Sequence, residues 1–449
     1  MIKGLFFTIL LLAGVTASAQ TIVNRDPVIA QMASEVNADS LHAYINQLVA
    51  FGTRHTLSTA GDPRKGIGAA RQWVVNKFIE FARGSNGRMT AFVDTTTLAP
   101  DGRRVNKPVL LGNCMAILKG TDTADKRIFL ISGHLDSRVS DIMNITADAP
   151  GANDDGSGVA AVIESARILS KKSFPATIIF VAVSGEEQGL YGADFLAGKA
   201  KKQNWALEAV LNNDIIGNNH SNETQITDNT KLRIFSEGLP AFELDKQATG
   251  IRNLGGENDG HCRQLARYVK EVGERYVDHI ELVMIYRNDR FLRGGDHTPF
   301  VEKGFTAVRL TEMNENYTHQ HQDIRNEKSV QYGDLAEFMD FEYLRKNTAV
   351  NLVCLANLAS APATPQEFTI DVKDLTNSTL LSWKKPAHGK AAGYYVLVRE
   401  TTAPQWQKKI FTREINMRLP YSKDNYLFGL QSVDEAGHES LAIIPSVGK

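Results

Sequence analysis

The chain has 449 residues, 43% of them apolar and 22% charged, with a formal net charge of −1. So balanced a chain projects no long-range field that would gather nucleic acid or an anionic membrane surface. Its three cysteines, Cys114, Cys262 and Cys354, are too few for a disulfide scaffold; one bridge at most can form, and the sequence does not choose the pair.

The first element is a leader. In "MIKGLFFTILLLAGVTASAQ", Lys3 supplies a positive start, Leu5 to Val15 an apolar stretch, and Ala17-Ser18-Ala19 a small-residue cleavage site. This predicts a signal peptide over residues 1–19, export to the periplasm or the exterior, and no transmembrane anchor. "ADSLHAYINQLVA" and "GAARQWVVNKFIEFAR" then carry apolar residues at helical spacing. "NCMAILKG" and "RIFLISGHLDS" read as strands, and a helix follows over about Gly156–Leu169. "ATIIFVAVSGEE" is a strand, "GLYGADFLAGKA" a helix, and "LEAVLNNDIIGN" a third strand of the same kind. Strands apolar on both faces and alternating with helices predict an α/β fold with a mostly parallel central sheet flanked by helices.

Beyond Asn218 the pattern weakens. "GHCRQLARYVKEVGERY" is helical, "IELVMIY" and "GFTAVRLTE" are strands, and one long helix is expected from about Val330 to Ala359. "SAPATPQ" reads as a linker. Short alternating runs after it predict a C-terminal all-β sandwich, and the Trp383 and "YYVLVRE" runs resemble a fibronectin type III domain. The expected domains are therefore 20–360, which carries the chemistry, and 361–449, which contacts an extracellular polymer or protein if it contacts anything. Truncation near Ser360 is expected to leave the first intact.

The chemistry sits at strand ends, where open α/β sheets bind ligands. One strand ends in His134 and Asp136, two residues apart and so on one face. The loop after it holds Asp154 and Asp155 in "GANDDGSG", the next strand ends in Glu186 and Glu187, and the third in Asp214. Each has an ordinary explanation alone: an Asp caps a helix, and a Glu pair favours a helix start. Together, so many anions at one sheet edge would repel one another without cations. Divalent metals resolve the conflict, and mixed imidazole and carboxylate donors suit zinc.

"GHLDS", "GANDDGSG", "SGEEQGLYGA", "NNDIIG", "GGDHTPF" and "THQHQD", in this order, resemble the zinc-dependent aminopeptidases of the bacterial leucyl aminopeptidase and aminopeptidase S type. Relatives of that family include glutamate carboxypeptidase II and glutaminyl cyclase, and the resemblance spans about Ser40 to Ala359. It implies a zinc exopeptidase fold, two Zn2+ ions per chain and peptide substrates. Asp154 is implied to bridge both metals, with His134 and Asp214 on one and Glu187 on the other. The last ligand is implied to be a histidine four residues before an acid, which selects His319 with Asp323; His321 is the alternative. Glu186 resembles the general base, Asp136 the residue behind His134, and Asp155 the residue that follows the bridge. Asp296 and His297 resemble non-ligand residues near the cleft. Thr318 and Leu292 stand where relatives place a tyrosine, so the oxyanion donor stays open among Tyr317, Arg293 and Arg290. The implied reaction is hydrolysis of N-terminal residues by water made acidic on zinc. A carboxypeptidase and a glutaminyl cyclase are the alternatives.

Overall fold

The apolar runs of the sequence become neighbouring strands of one sheet. The computed structural model describes residues 23, 25–239, 245–373 and 375–447, so the expected leader lies outside the described residues. Among these, no helix is long and apolar enough to cross a membrane.

The sheet has eight strands: β1 Met89–Leu98, β2 Val109–Leu118, β3 Arg127–His134, β4 Thr177–Val183, β5 Ala206–Asn213, β6 Lys231–Phe235, β7 Glu281–Ile285 and β8 Ala307–Glu312. Their order is β1-β2-β4-β3-β5-β8-β6-β7. The centre, β4-β3-β5-β8, is parallel, while β1, β2 and the β6–β8 pair add antiparallel neighbours. Side chains alternate across it, as period two requires. Phe129, Ile131, Ile178 and Phe180 enter one core, with the helices Gly156–Leu169 and Phe341–Ser360. Leu130, Ile179, Val181 and Val183 enter a second core, under the helix Tyr191–Lys202. The mostly parallel, doubly covered sheet expected from the sequence is what forms.

One close approach positions the site. A Cβ on Gly133 would stand 2.5 Å from the backbone of Gly158, so only glycine lets the end of β3 touch the start of the following helix.

Two expectations change. The final helix starts at Phe341, not Val330: Asp340 caps it by accepting from the Tyr343 N–H, and residues 330–332 instead form a short strand paired with Arg325–Glu327. Gly333 between them, at φ +114°, turns the chain so that Asp334 points inward. The helical run after "SGEE" is split, with a single turn at Glu186–Gly189 before the helix Tyr191–Lys202.

After Ala361 the chain forms a four-stranded and a three-stranded sheet that enclose Trp383, Tyr394, Val396 and Leu430. They are held to the preceding residues by buried ion pairs. Asp259 meets both Arg267 and Arg399 at 2.6 Å, and Arg275 meets Glu439 at 2.5 Å. Cys114, Cys262 and Cys354 are all buried and unpaired.

Candidate metal centre

Because β4, β3 and β5 are adjacent and parallel, their carboxyl ends deliver side chains to one place. His134 ends β3; its Nε2 lies 3.1 Å from Asp154 Oδ1 and 3.9 Å from Asp214 Oδ1. Asp214 follows β5. Glu187 follows β4, and its Oε1 lies 2.9 Å from His321 Nε2, which is also 2.8 Å from Asp154 Oδ2. Three ligand-like groups result among the described residues: His134–Glu186–Glu187, and the pair His134–Asp154–Asp214 and Asp154–Glu187–His321, which share Asp154.

The expected ligand His319 is in none of these groups. It stacks on Phe338 with ring centroids 3.9 Å apart, and burial pushes its pKa down to about 4. The cause is a local turn: His321 sits at φ +58° with its ring against Asp154 and Glu187, while His319 faces the Phe338 side. Asp323, expected to partner His319, instead takes a hydrogen bond from the Ser140 hydroxyl.

Asp136 stands behind His134 through its backbone rather than its side chain. His134 Nδ1 lies 3.0 Å from the backbone carbonyl of Asp136 and 3.8 Å from its carboxylate. That carboxylate accepts the N–H groups of Gly185, Glu186 and Glu187 at 2.9–3.2 Å and the Thr56 hydroxyl at 2.8 Å. Asp136 therefore builds the turn that presents both glutamates, and its carbonyl sets the His134 ring.

Asp155 answers both readings of its motif. It caps the helix Gly156–Leu169 by accepting from the Gly158 N–H at 2.8 Å, and it accepts from the His134 N–H at 2.8 Å. The Asp154–Asp155 peptide bond is cis. Asp296 and His297 are buried near the centre but outside these groups: His297 Nε2 lies 2.7 Å from the Asn288 carbonyl, and neither Asp296 oxygen has a hydrogen bond.

The electrostatics favour a cation among these groups. Burial, then the charges of Glu187, Asp214 and Asp296, push the Glu186 carboxyl well above its usual range against the pull of His134. Burial, helped by Asp136 and Asp214, lifts Asp296 to about 7. Burial also works to raise Asp154, yet His321 and His134 hold it well below the carboxylate range. A set of buried carboxylates that raise one another's pKa, with imidazole nitrogens aimed among them, fits divalent zinc.

Several contributors carry no sequence motif. Asp334 accepts from the Asp154 N–H at 2.7 Å and from the Asn153 N–H at 3.0 Å. Arg54, fully buried, donates to the carbonyls of Leu135, Pro150 and Gly151 at 2.5–2.8 Å and so fixes the loop before Asp154. Arg309 pairs with Asp214 at 3.0 Å, and Arg138 donates to Glu187 at 2.8 Å. The centre opens into a cleft of 230 Å³ whose walls include Arg104, Arg138, Arg290, Arg293 and Gln320. Of the residues left open as oxyanion donor, Arg290 and Arg293 thus line the cleft, and Tyr317 lines a pocket beside it.

Fold and site together define an α/β metalloenzyme. A model of "Peptidase family M28" matches residues 113–341. A "probable zinc metalloprotease" of Leptosphaeria maculans is 44% identical over 418 residues, covering 93% of this chain and 96% of that protein. Another, of Pyricularia oryzae, is 44% identical over 421 residues, covering 92% of this chain and 83% of that one. The chain belongs to peptidase family M28 and is a zinc metallopeptidase. Among solved structures, the LapA aminopeptidase of Legionella pneumophila shares the fold, with 16% identity, a TM-score of 0.52 and coverage of 77% of this chain and 78% of that one. LapB from the same organism does so with 15% identity, a TM-score of 0.53 and coverage of 76% and 78%.

Proposed function

We propose that the protein is an exported two-zinc exopeptidase that removes N-terminal residues from peptides. The observation that carries this reading is the sharing of Asp154 between two ligand-like groups. His134, Asp154 and Asp214 would hold one zinc, and Asp154, Glu187 and His321 the other. When bound, the zinc ions supply a polarised scissile carbonyl and an acidified water.

The chain's own residues supply the rest. Glu186, on the turn built by Asp136, takes the proton of the attacking water and returns it to the leaving nitrogen. Glu186 and Asp214 line the cleft and offer negative charge to the free α-ammonium of the substrate. Arg309 pairs with Asp214 and so holds its carboxylate in place. The loops around "GANDDGSG" fix Asp154 through Asp334 and Arg54 and so keep both groups in register.

The discriminating experiment uses one short peptide in three forms: free at both ends, N-acetylated, and C-amidated. Loss of hydrolysis on acetylation is the expected result. Full hydrolysis of the acetylated form, with loss on amidation alone, would replace the aminopeptidase with a carboxypeptidase. Formation of pyroglutamate from an N-terminal glutamine, without peptide cleavage, would support the cyclase.

A further inference from the structure

Beside the metal cleft lies a second pocket of 390 Å³. Arg290 and Arg293 line both, so the two are neighbours. Its apolar wall is Phe235, Ile285, Phe291 and Tyr317, and its charged groups are Arg233, Arg287, Arg290, Arg293 and Glu315.

The charges do not balance. Glu315 is already bonded by Arg233 at 2.5 Å and Arg290 at 2.6 Å. Among the described residues, Arg287 and Arg293 make no ion pair within 4 Å; Arg287 lies over the Phe291 ring, 3.9 Å from its centroid. Surface arginines are commonly just solvated. Here the loop that bears them is anchored to the metal centre itself. Asp289 accepts from the Arg290 N–H at 2.6 Å and pairs with Arg309 at 2.9 Å, and Arg309 also pairs with Asp214. The cleft is thus anionic at the metal carboxylates and cationic at this pocket. A peptide whose ammonium faces Glu186 and Asp214 meets the guanidinium groups of Arg293 and Arg287 further along, and a planar carboxylate is what such groups bind best.

We propose that this pocket is a substrate subsite that takes a carboxylate of the peptide, held by Arg293 and Arg287. The proposal rests on the exopeptidase reading above and names its substrate class: peptides with an anionic group beyond the scissile bond. That group is either the α-carboxylate of a short peptide or an acidic side chain.

Four peptides separate the sources: Leu-Gly-Gly, Leu-Gly-Gly-amide, Leu-Glu-Gly-amide and Leu-Gln-Gly-amide. We expect kcat/KM to be about tenfold or more higher for acid over amide if the α-carboxylate is read, or for Glu over Gln if the side chain is read. In R293Q and in R287Q, both exposed positions, the preference falls towards one. Wild-type ratios within twofold of one for both pairs, or a preference that survives in both variants, overturn the subsite. Release of no residue from any of the four overturns the exopeptidase reading instead. The same four peptides titrated calorimetrically into the zinc-loaded protein then decide the subsite alone, which stands if the anionic peptide binds about tenfold tighter and falls if it does not.

Discussion

Two histidines two residues apart, His319 and His321, meet different fates because one turn aims them differently. Spacing to an acid selects His319, but the backbone at His321 carries the second ring to Asp154 and Glu187. The motif "THQHQD" was legible as a ligand-bearing segment; which ring faces inward is decided by a fold-dependent turn that spacing does not encode. Asp136 teaches the same lesson, since its neighbour's ring uses its carbonyl and its carboxylate gathers three backbone N–H groups. Glu186 is the side chain with no structural duty in that turn beyond its backbone. Glu186→Gln preserves its size and removes the base, so zinc content should be unchanged and kcat should fall by about 10²–10⁴-fold. Metal analysis beside steady-state kinetics checks this; a loss under about tenfold would assign the proton transfer elsewhere.

At the scale of elements, the long apolar strands and the Gly156–Leu169 helix were readable because burial on both faces writes itself as a continuous apolar run. β1 was missed because Phe92, between Ala91 and Val93, breaks the apolar–polar alternation and the threonines after Asp94 dilute it further. β6 alternates from Lys231 to Ile234, but over too few residues to stand out beside the continuous apolar runs. Arg54, Arg309 and Asp334 were invisible because a lone charge gains its meaning only from distant partners. The C-terminal sheets were legible as a change of periodicity, but their attachment was not. Arg127 donates to the carbonyls of Ala361 and Pro362 at 2.7 and 3.2 Å, and Arg399 and Glu439 of the later sheets reach the buried Asp259 and Arg275. These contacts weigh against the expectation of an intact truncated enzyme. A chain ending at Ser360 should be insoluble or melt about 5 °C or more below the full chain in a thermal scan. An unchanged Tm with full activity would show that these contacts contribute nothing.

For the whole molecule, one group ties the first described segment to the last sheets. His438 Nδ1 lies 2.8 Å from Asp434 and its Nε2 2.8 Å from Asp26. Burial works to lower its pKa, but Asp434 and Asp26 outweigh that and raise it. A folded pKa above the unfolded value means the charged ring stabilises the fold. That contribution is fully present below the unfolded pKa of about 6.5 and is lost as pH rises through the folded pKa. The Tm gap between the wild type and His438→Gln should therefore be widest near pH 5.5 and narrow as the pH is raised towards 9. A gap that is flat or widens with pH would contradict the charged latch.

The central claim is that one carboxylate, Asp154, serves two zinc sites, the second completed by His321. Zinc content per chain, measured by mass spectrometry after reconstitution and removal of free metal, tests it most directly. The account predicts two zinc ions in the wild type and in His319→Ala, about one in His321→Ala, and a loss at both sites in Asp154→Ala. A single zinc in the wild type, or a zinc lost with His319 and retained without His321, would contradict it.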